Sequence, residues 1–376
     1  MVTEFLPPVG WGKAYNTINC AAGHHIYEGR WLRDPKYMDD YETFYFNGSG
    51  NPGGVDKVYS NWLADAVYAR FLVDANKDLA VSLLPGMVRN YEAWTKDKNK
   101  GEERSRLLPN GLYWQFDAWD GMEVSVGRSG ARPTINSYMY GDALAIANVA
   151  DLAGDENLAK RYREKAAAIK RLVQEKLWSE KLQFFVTRAY DGCKTSWGDD
   201  PGYADDTLVD VREEVGFIPW YFNLPDTQYS VAWKQLSDPQ GFSAKYGLTT
   251  AEQRHPRYLK ATKFPSEWGC QWNGQVWPYA TTQTLVALAN LLNNYKQDVA
   301  TKRDYFNTLT TYAHSHYANA KGAEKPRQGD TPTQSWIGET LSPNDGRWLG
   351  TYVAKWAPKD VSKDYNHSGF ADLVIS

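Results

Sequence analysis

A chain of 376 residues that is 42% hydrophobic and 23% charged has a globular composition, neither disordered nor fibrous. Its formal net charge of −3, with no basic block, argues against nucleic acid and anionic membranes as partners. No apolar run approaches the roughly 18 residues of a membrane span. The chain is instead rich in aromatics, with 16 Trp and 25 Tyr, which suits a protein that stacks flat ligands.

The N-terminus reads Met-Val-Thr-Glu-Phe-Leu-Pro-Pro, with neither a basic n-region nor a long apolar h-region. A native N-terminus of this kind implies a cytoplasmic protein; a mature or excised domain implies a secreted or periplasmic one. Cys20, Cys193 and Cys270 form no CxxC pair, which speaks against a zinc knuckle or a redox motif, and the odd count does not suit a disulfide framework.

Helical periodicity dominates the chain. Residues 57–75 place Val58, Trp62, Ala66, Ala69 and Val73 at spacings of three and four, and 78–94 continues with Leu79, Leu83, Met87 and Tyr91. A helix pair lies between about 135 and 177. Its first member carries Tyr138, Leu144, Ile146 and Val149 and stops at Gly154. Asp155 then caps a second member that buries Leu158, Tyr162, Ala166, Ile169, Val173 and Leu177. A third pair spans about 276–294 and 298–318. Between the pairs, 47–56, 101–112, 191–210, 237–274 and 320–350 are long and rich in Gly, Pro, Asn and Asp. Ordered loops of this length are usually functional. Strand signal is weak, as in Gln183–Thr187. No composition shift marks a domain boundary, so residues 1–376 read as a single domain: an all-α toroid of helical hairpins with long Trp-rich loops and few short strands.

Four segments could carry chemistry. The first is Tyr113–Glu123, where Asp117, Asp120 and Glu123 recur every third residue among Trp114, Phe116 and Trp119. Buried carboxylates are costly unless paired, whereas a sugar-cleaving site needs both a proton-moving carboxyl and flat apolar faces. Capping of a helix start is the structural alternative. The second is Ser335–Gly346, in which Glu339 stands between Trp336 and Trp348 with no other charge nearby. The third, Cys270–Tyr279, flanks Asn273 with Trp272 and Trp277 and leads through Pro278 into a helix. An Asn side chain both donates and accepts, as recognition of hydroxyls requires. The fourth, Tyr27–Phe44, offers Arg30, Asp39 and Asp40 as grips for sugar hydroxyls, or as ion pairs. His367 is a lone candidate, and the six histidines show no metal-binding spacing.

In order along nearly the whole chain, these segments resemble the six-hairpin (α/α)6-barrel glycosidases. The similarity is greatest to the mannosylglycerate hydrolase-like domain shared with glycoside hydrolase family 63, and more distant to trehalases. Trp119-Asp-Gly-Met-Glu123 resembles that group's Trp-Asp-Ser-Gly-Met-Asp motif with one residue missing, which implies Asp120 as general acid and shifts the register between Asp120 and Glu123. Asn136–Asp142 is similar to the helix start that follows, and Glu214–Pro219 to a mid-chain signature. Gln271–Pro278 is similar to a substrate-recognition loop in which an Arg is common where Asn273 stands. Gly338–Gly346 resembles the segment whose leading Glu is the general base, which implies Glu339. Met38–Tyr41 lies in the place of a substrate-binding Trp-Asp, which points to Asp40 or Asp39. A weaker resemblance is to the β-L-arabinofuranosidase domain of glycoside hydrolase family 142, whose members often carry a β-sandwich ahead of the barrel; this chain begins almost directly with the first helix.

The resemblance implies an exo-acting, inverting glycosidase that removes a terminal sugar, an arabinofuranoside or glucoside, from an oligo- or polysaccharide. Asp120 and Glu339 would be catalytic. Arg30, Asp40, Trp114, Asp117, Trp119, Glu123, Asn136, Trp272, Asn273, Trp277, Trp336 and His367 would contact substrate. Hydrolysis by two carboxyls uses water alone, with no cofactor and no metal. The alternatives are a sugar epimerase or isomerase on the same barrel, which would move protons at carbon, and a non-catalytic carbohydrate-binding barrel.

Overall fold

The computed structural model describes residues 17–46, 59–96, 105–193, 202–260, 270–318, 334–335, 338–349 and 367–375. Local chemistry sets most helix ends. Helix α1 spans Asn19–Gly29 and α2 Lys36–Phe46. In α3, Leu63–Asp74, Trp62 stands at the N-cap rather than inside the helix. Of the predicted stripe, Ala66 and Ala69 are buried but Val73 is 39% exposed. Helix α4, Lys77–Ala93, is capped by Asn76, whose side chain accepts from the Leu79 amide at 3.2 Å.

The predicted central pair is α5, Pro133–Ala153, and α6, Glu156–Lys176. Proline opens α5 and left-handed Gly154 closes it. Asp155 caps α6 by accepting from the Leu158 amide at 2.9 Å. Helix α5 is buried almost all round, whereas α6 exposes a charged face. A single turn, α7 (Ile218–Tyr221), follows a 3-10 turn at Glu214–Phe217. Helix α8 is Pro278–Asn294. Helix α9, Lys302–Ser315, begins with a Thr301/Asp304 capping box, later than the periodicity suggests. Helix α10 is Ala371–Ile375.

The packing order defines the architecture. Helix α1 packs on α3, α3 on α5, α5 on α7, α7 on α8, α8 on α10, and α10 back on α1. That is a closed inner ring of six. Helices α2, α4, α6 and α9 lie outside it, each against its inner neighbours. The fold is an (α/α)6 toroid, as predicted. The described strands are two-residue antiparallel pairs; Phe184–Phe185, inside the predicted strand, pairs with Trp178–Ser179.

Ring closure is polar. The Glu28 carboxylate of α1 accepts from the Phe370, Ala371 and Asp372 amides at 2.6, 2.9 and 3.1 Å, capping α10. Arg30 adds an ion pair to Asp372 at 2.6 Å. Among the described residues no helix is long and apolar enough to cross a membrane.

Candidate active site

The loop that carries three of the candidate acids enters the N-terminal end of an inner helix. Residues 113–132 lead into α5. Their register is set by Asn136, whose Oδ1 accepts from the Tyr113 amide at 2.8 Å and whose Nδ2 donates to the Tyr113 and Arg132 carbonyls at 2.9 and 2.8 Å. Both ends of that amide are thus engaged by backbone, so Asn136 positions the loop rather than gripping a sugar. Asp117 is likewise structural. Its Oδ1 accepts from the Ala118 amide and the Ser129 hydroxyl at 3.0 and 3.1 Å, capping the 3-10 turn Ala118–Asp120. Its Oδ2 faces Arg128 at 3.3 Å. Gly121, at φ +72°, then reverses the chain.

That reversal gives Asp120 and Glu123 different surroundings. Asp120 Oδ2 accepts from Arg132 Nε at 2.7 Å and from the Thr134 hydroxyl, and all three side chains are buried. Two charge-assisted or hydroxyl donors thus already occupy one of its oxygens. Its Oδ1 is buried with no hydrogen-bond partner among the described residues. Glu123 is partly exposed, and its carboxyl accepts from its own amide and weakly from the Cys270 thiol, 3.3 Å from Oε2. Burial, aided by the Asp117 charge, pushes its carboxyl up to about 7.

The loop 270–277 joins this segment to Glu339. The Trp272 amide donates to the Glu123 carbonyl at 2.9 Å. Trp272 and Trp277 stack with centroids 4.1 Å apart, and Trp277 Nε1 donates to the Gln271 carbonyl at 2.8 Å. On the other side, Val276 and Leu341 exchange backbone hydrogen bonds of 3.0 Å, and Thr340 Oγ1 donates to Gln275 Oε1 at 3.2 Å. Glu339, buried, is carried in by that pairing. The result meets at Cys270. Burial pushes its thiol well up, and the charges of Glu123 and Glu339 push it further.

Beneath them the barrel axis is aromatic. Trp62 packs on Tyr138 with centroids 4.8 Å apart, and His24 meets Trp62 and Tyr279 edge-on at 5.1 and 4.8 Å. Burial lowers His24 to about 3, so it is neutral at ordinary pH. The Asp120 charge reaches the hydroxyls of Tyr138 and Tyr279. Sequence reasoning does not single out His24, Tyr138 and Tyr279 as site residues.

Several predicted contacts lie elsewhere. Asp40 is on outer helix α2, exposed and paired with Lys36 at 2.9 Å; Asp39 pairs with Arg70. Arg30 belongs to the α1–α10 closure, at the C-terminal end of α1. Trp114 is buried against Arg106, whose guanidinium lies 4.1 Å from its ring centroid, with Phe116 and Trp119 on the same cation at 5.1 Å each. These rings enclose the Arg106 guanidinium. His367 is buried, with its protonation lowered by burial and by His25 and His24. Trp336 lies outside the described residues. Among the described residues Cys20 and Cys270 form no disulfide.

The family model of the mannosylglycerate hydrolase MGH1-like glycoside hydrolase domain matches residues 14–368. A solved structure described as a sialidase is similar over this whole chain, with 41% identity and a TM-score of 0.83; the chain spans 31% of that protein's length. The family 63 mannosylglycerate hydrolase of Thermus thermophilus, in complex with glucose, has 13% identity and a TM-score of 0.63, covering 100% of this chain and 96% of that one. Neutral trehalase of Saccharomyces cerevisiae has 13% identity and a TM-score of 0.52, covering 81% and 64%. The last two share the fold alone. No curated protein matches the sequence. With the barrel and a family match over almost its whole length, the chain belongs to the mannosylglycerate hydrolase MGH1-like glycoside hydrolase domains.

Proposed function

We propose that this domain hydrolyses a terminal glycosidic bond with inversion, using Glu123 as proton donor and Glu339 as base. Glu123 protonates the departing glycosidic oxygen. Glu339 takes a proton from the water that attacks the anomeric carbon from the opposite face. The observation that carries this reading is the Cys270 thiol, which donates to Glu123 Oε2 at 3.3 Å and feels the charge of Glu339, with the Glu123 carboxyl pushed up to about 7. A general acid works best when its pKa lies near the operating pH. Asp120, implied by the motif resemblance, is replaced as donor because Arg132 and Thr134 already occupy one of its oxygens. Its remaining oxygen, Oδ1, supports a role as an acceptor for a sugar hydroxyl.

The substrate is an oligo- or polysaccharide end. Arabinofuranosides and glucosides come first, from the motif resemblance. Mannosides, trehalose and sialosides follow from the names of the similar structures. A panel of these glycosides, read by released monosaccharide, identifies the sugar. Proton NMR of the first-formed anomer then tests inversion. Hydrolysis that survives Glu123→Gln undiminished would sink the assignment of the donor.

A further inference from the structure

Against outer helix α9 lies a cavity of about 70 Å³. Three elements enclose it: the first turn of α8, one face of α9, and the hairpin whose strands Ser243–Ala244 and Gly247–Leu248 pair antiparallel. Glu123, Cys270, Trp272, Asn273 and Glu339 take no part in lining it. Of the loop 270–277 only Val276 does, and Val276 packs with Leu341, Trp348 and Tyr246. The cavity is therefore separate from the acid site.

Among the described residues its wall carries hydroxyls and an amide but no charge. Asn307, Thr308 and Thr311 share one face of α9, as spacings of three and four require. Threonine is a poor helix former, so helix propensity does not account for that pair. Thr281, in the first turn of α8, is the sharpest case. It is 2% exposed, and its hydroxyl has no hydrogen-bond partner among the described residues. The adjacent Thr282 instead donates to the Pro278 and Tyr279 carbonyls at 3.0 and 2.9 Å. A buried hydroxyl without a partner costs stability, and a bound group that reaches it removes that cost.

The wall chemistry selects the ligand class. An ion would give up its hydration with no opposite charge on the wall to meet it. Lys245, at the hairpin turn, does not line the cavity; its Nζ lies 5.1 Å from the Tyr246 ring centroid. An apolar ligand would leave the hydroxyls unpaired. A neutral polyhydroxylated ligand meets both constraints. Its hydroxyls donate to and accept from those of the wall, and its C–H faces pack on Leu248 and Pro278. One water needs ~10–15 Å³, so a cavity of about 70 Å³ takes the hydroxyl-bearing edge of one sugar ring and no more.

We propose that this cavity is a second, non-catalytic site that takes one uncharged sugar residue, with Thr281 as its buried contact. The choice of a sugar among neutral polyols rests on the glycosidase reading above. Methyl NMR of the threonine-labelled protein tests it, with glucose, galactose, mannose and arabinose as probes. At least one is expected to shift the Thr281, Thr308 and Thr311 methyls saturably. Thr281→Val keeps the shape and removes the hydroxyl. Read at Thr308 and Thr311, it is expected to weaken binding at least tenfold without lowering Tm. Thr311→Leu, which fills the cavity from the α9 side, is expected to abolish the shifts at Thr281 and Thr308. The Thr134 methyl, whose hydroxyl donates to Asp120, reports the acid site separately. Shifts confined to Thr134, or none at the cavity methyls with any of the four sugars, would overturn the inference and leave the glycosidase reading intact. So would folded Thr281→Val and Thr311→Leu proteins that bind undiminished. Saturable cavity shifts in a protein that hydrolyses no glycoside would support this site and remove the glycosidase reading.

Discussion

Arg132 Nε lies 2.7 Å from Asp120 Oδ2, with both side chains buried, so the acid that the motif resemblance points to is already one half of an ion pair. Removing one partner of such a pair leaves the other charge buried and costs about 3–5 kcal/mol. Asp120→Ala is therefore expected to destabilise the fold by that amount, measured by denaturant unfolding. Glu123→Gln is expected to leave stability at neutral pH unchanged or higher while lowering kcat by about 10²–10⁴-fold. A donor role for Asp120 predicts the opposite pattern for Glu123→Gln, with activity retained.

The pH dependence follows from Glu123. Its carboxyl is pushed up to about 7, and the proton-donor role needs the protonated form. The rate, as kcat/KM, is expected to fall as pH rises through about 7. Stability has the same direction. The folded state holds this proton more tightly than the unfolded chain, whose carboxyl titrates near its ordinary value. The stabilisation is thus fully present below the unfolded pKa and lost as pH rises through the folded one. Glu123→Gln is expected to raise Tm relative to the parent at pH 8 and to narrow that gap at pH 5. An unchanged gap across this range rejects the raised carboxyl.

Ring closure depends on Glu28. Its carboxylate caps α10 through three amides. Glu28→Ala is expected to cost about 1–2 kcal/mol, as loss of a helix cap does. Amide hydrogen exchange should rise first at Phe370, Ala371 and Asp372. Exchange spread evenly over the barrel would mean that closure does not rest on this cap.

Gly274 couples loop geometry to the site. An alanine there would meet the Tyr258 ring at 2.5 Å and would have to hold φ at +138°. Gly274→Ala is expected to cost about 1–3 kcal/mol and to raise KM more than it lowers kcat, because Asn273 is displaced and the carboxyls are not. Steady-state kinetics separates the two effects.

Much of the toroid is legible in the chain because its signals are local. Pro133, Gly154 and Asp155 mark the ends of α5 and α6, and each acts within a few residues. The elements that escape notice are those with too few residues to show a period: α7, one turn around Pro219, and α10, five residues held by Glu28. In the sequence, helices α1 and α2 stand out as a source of site residues rather than as a hairpin, and most of those side chains serve packing between helices instead.

By itself, the sequence determined the acid-and-aromatic segments, their order and the helical hairpins between them, because composition and short-range periodicity are properties of neighbouring residues. Only the tertiary structure decided what surrounds each acid. Asp120 meets Arg132 twelve residues on, and Glu123 meets Cys270 across 147 residues. A carboxyl's protonation is set by the charges, donors and burial that converge on it in space. None of these is visible in the spacing of three carboxylates along eleven residues.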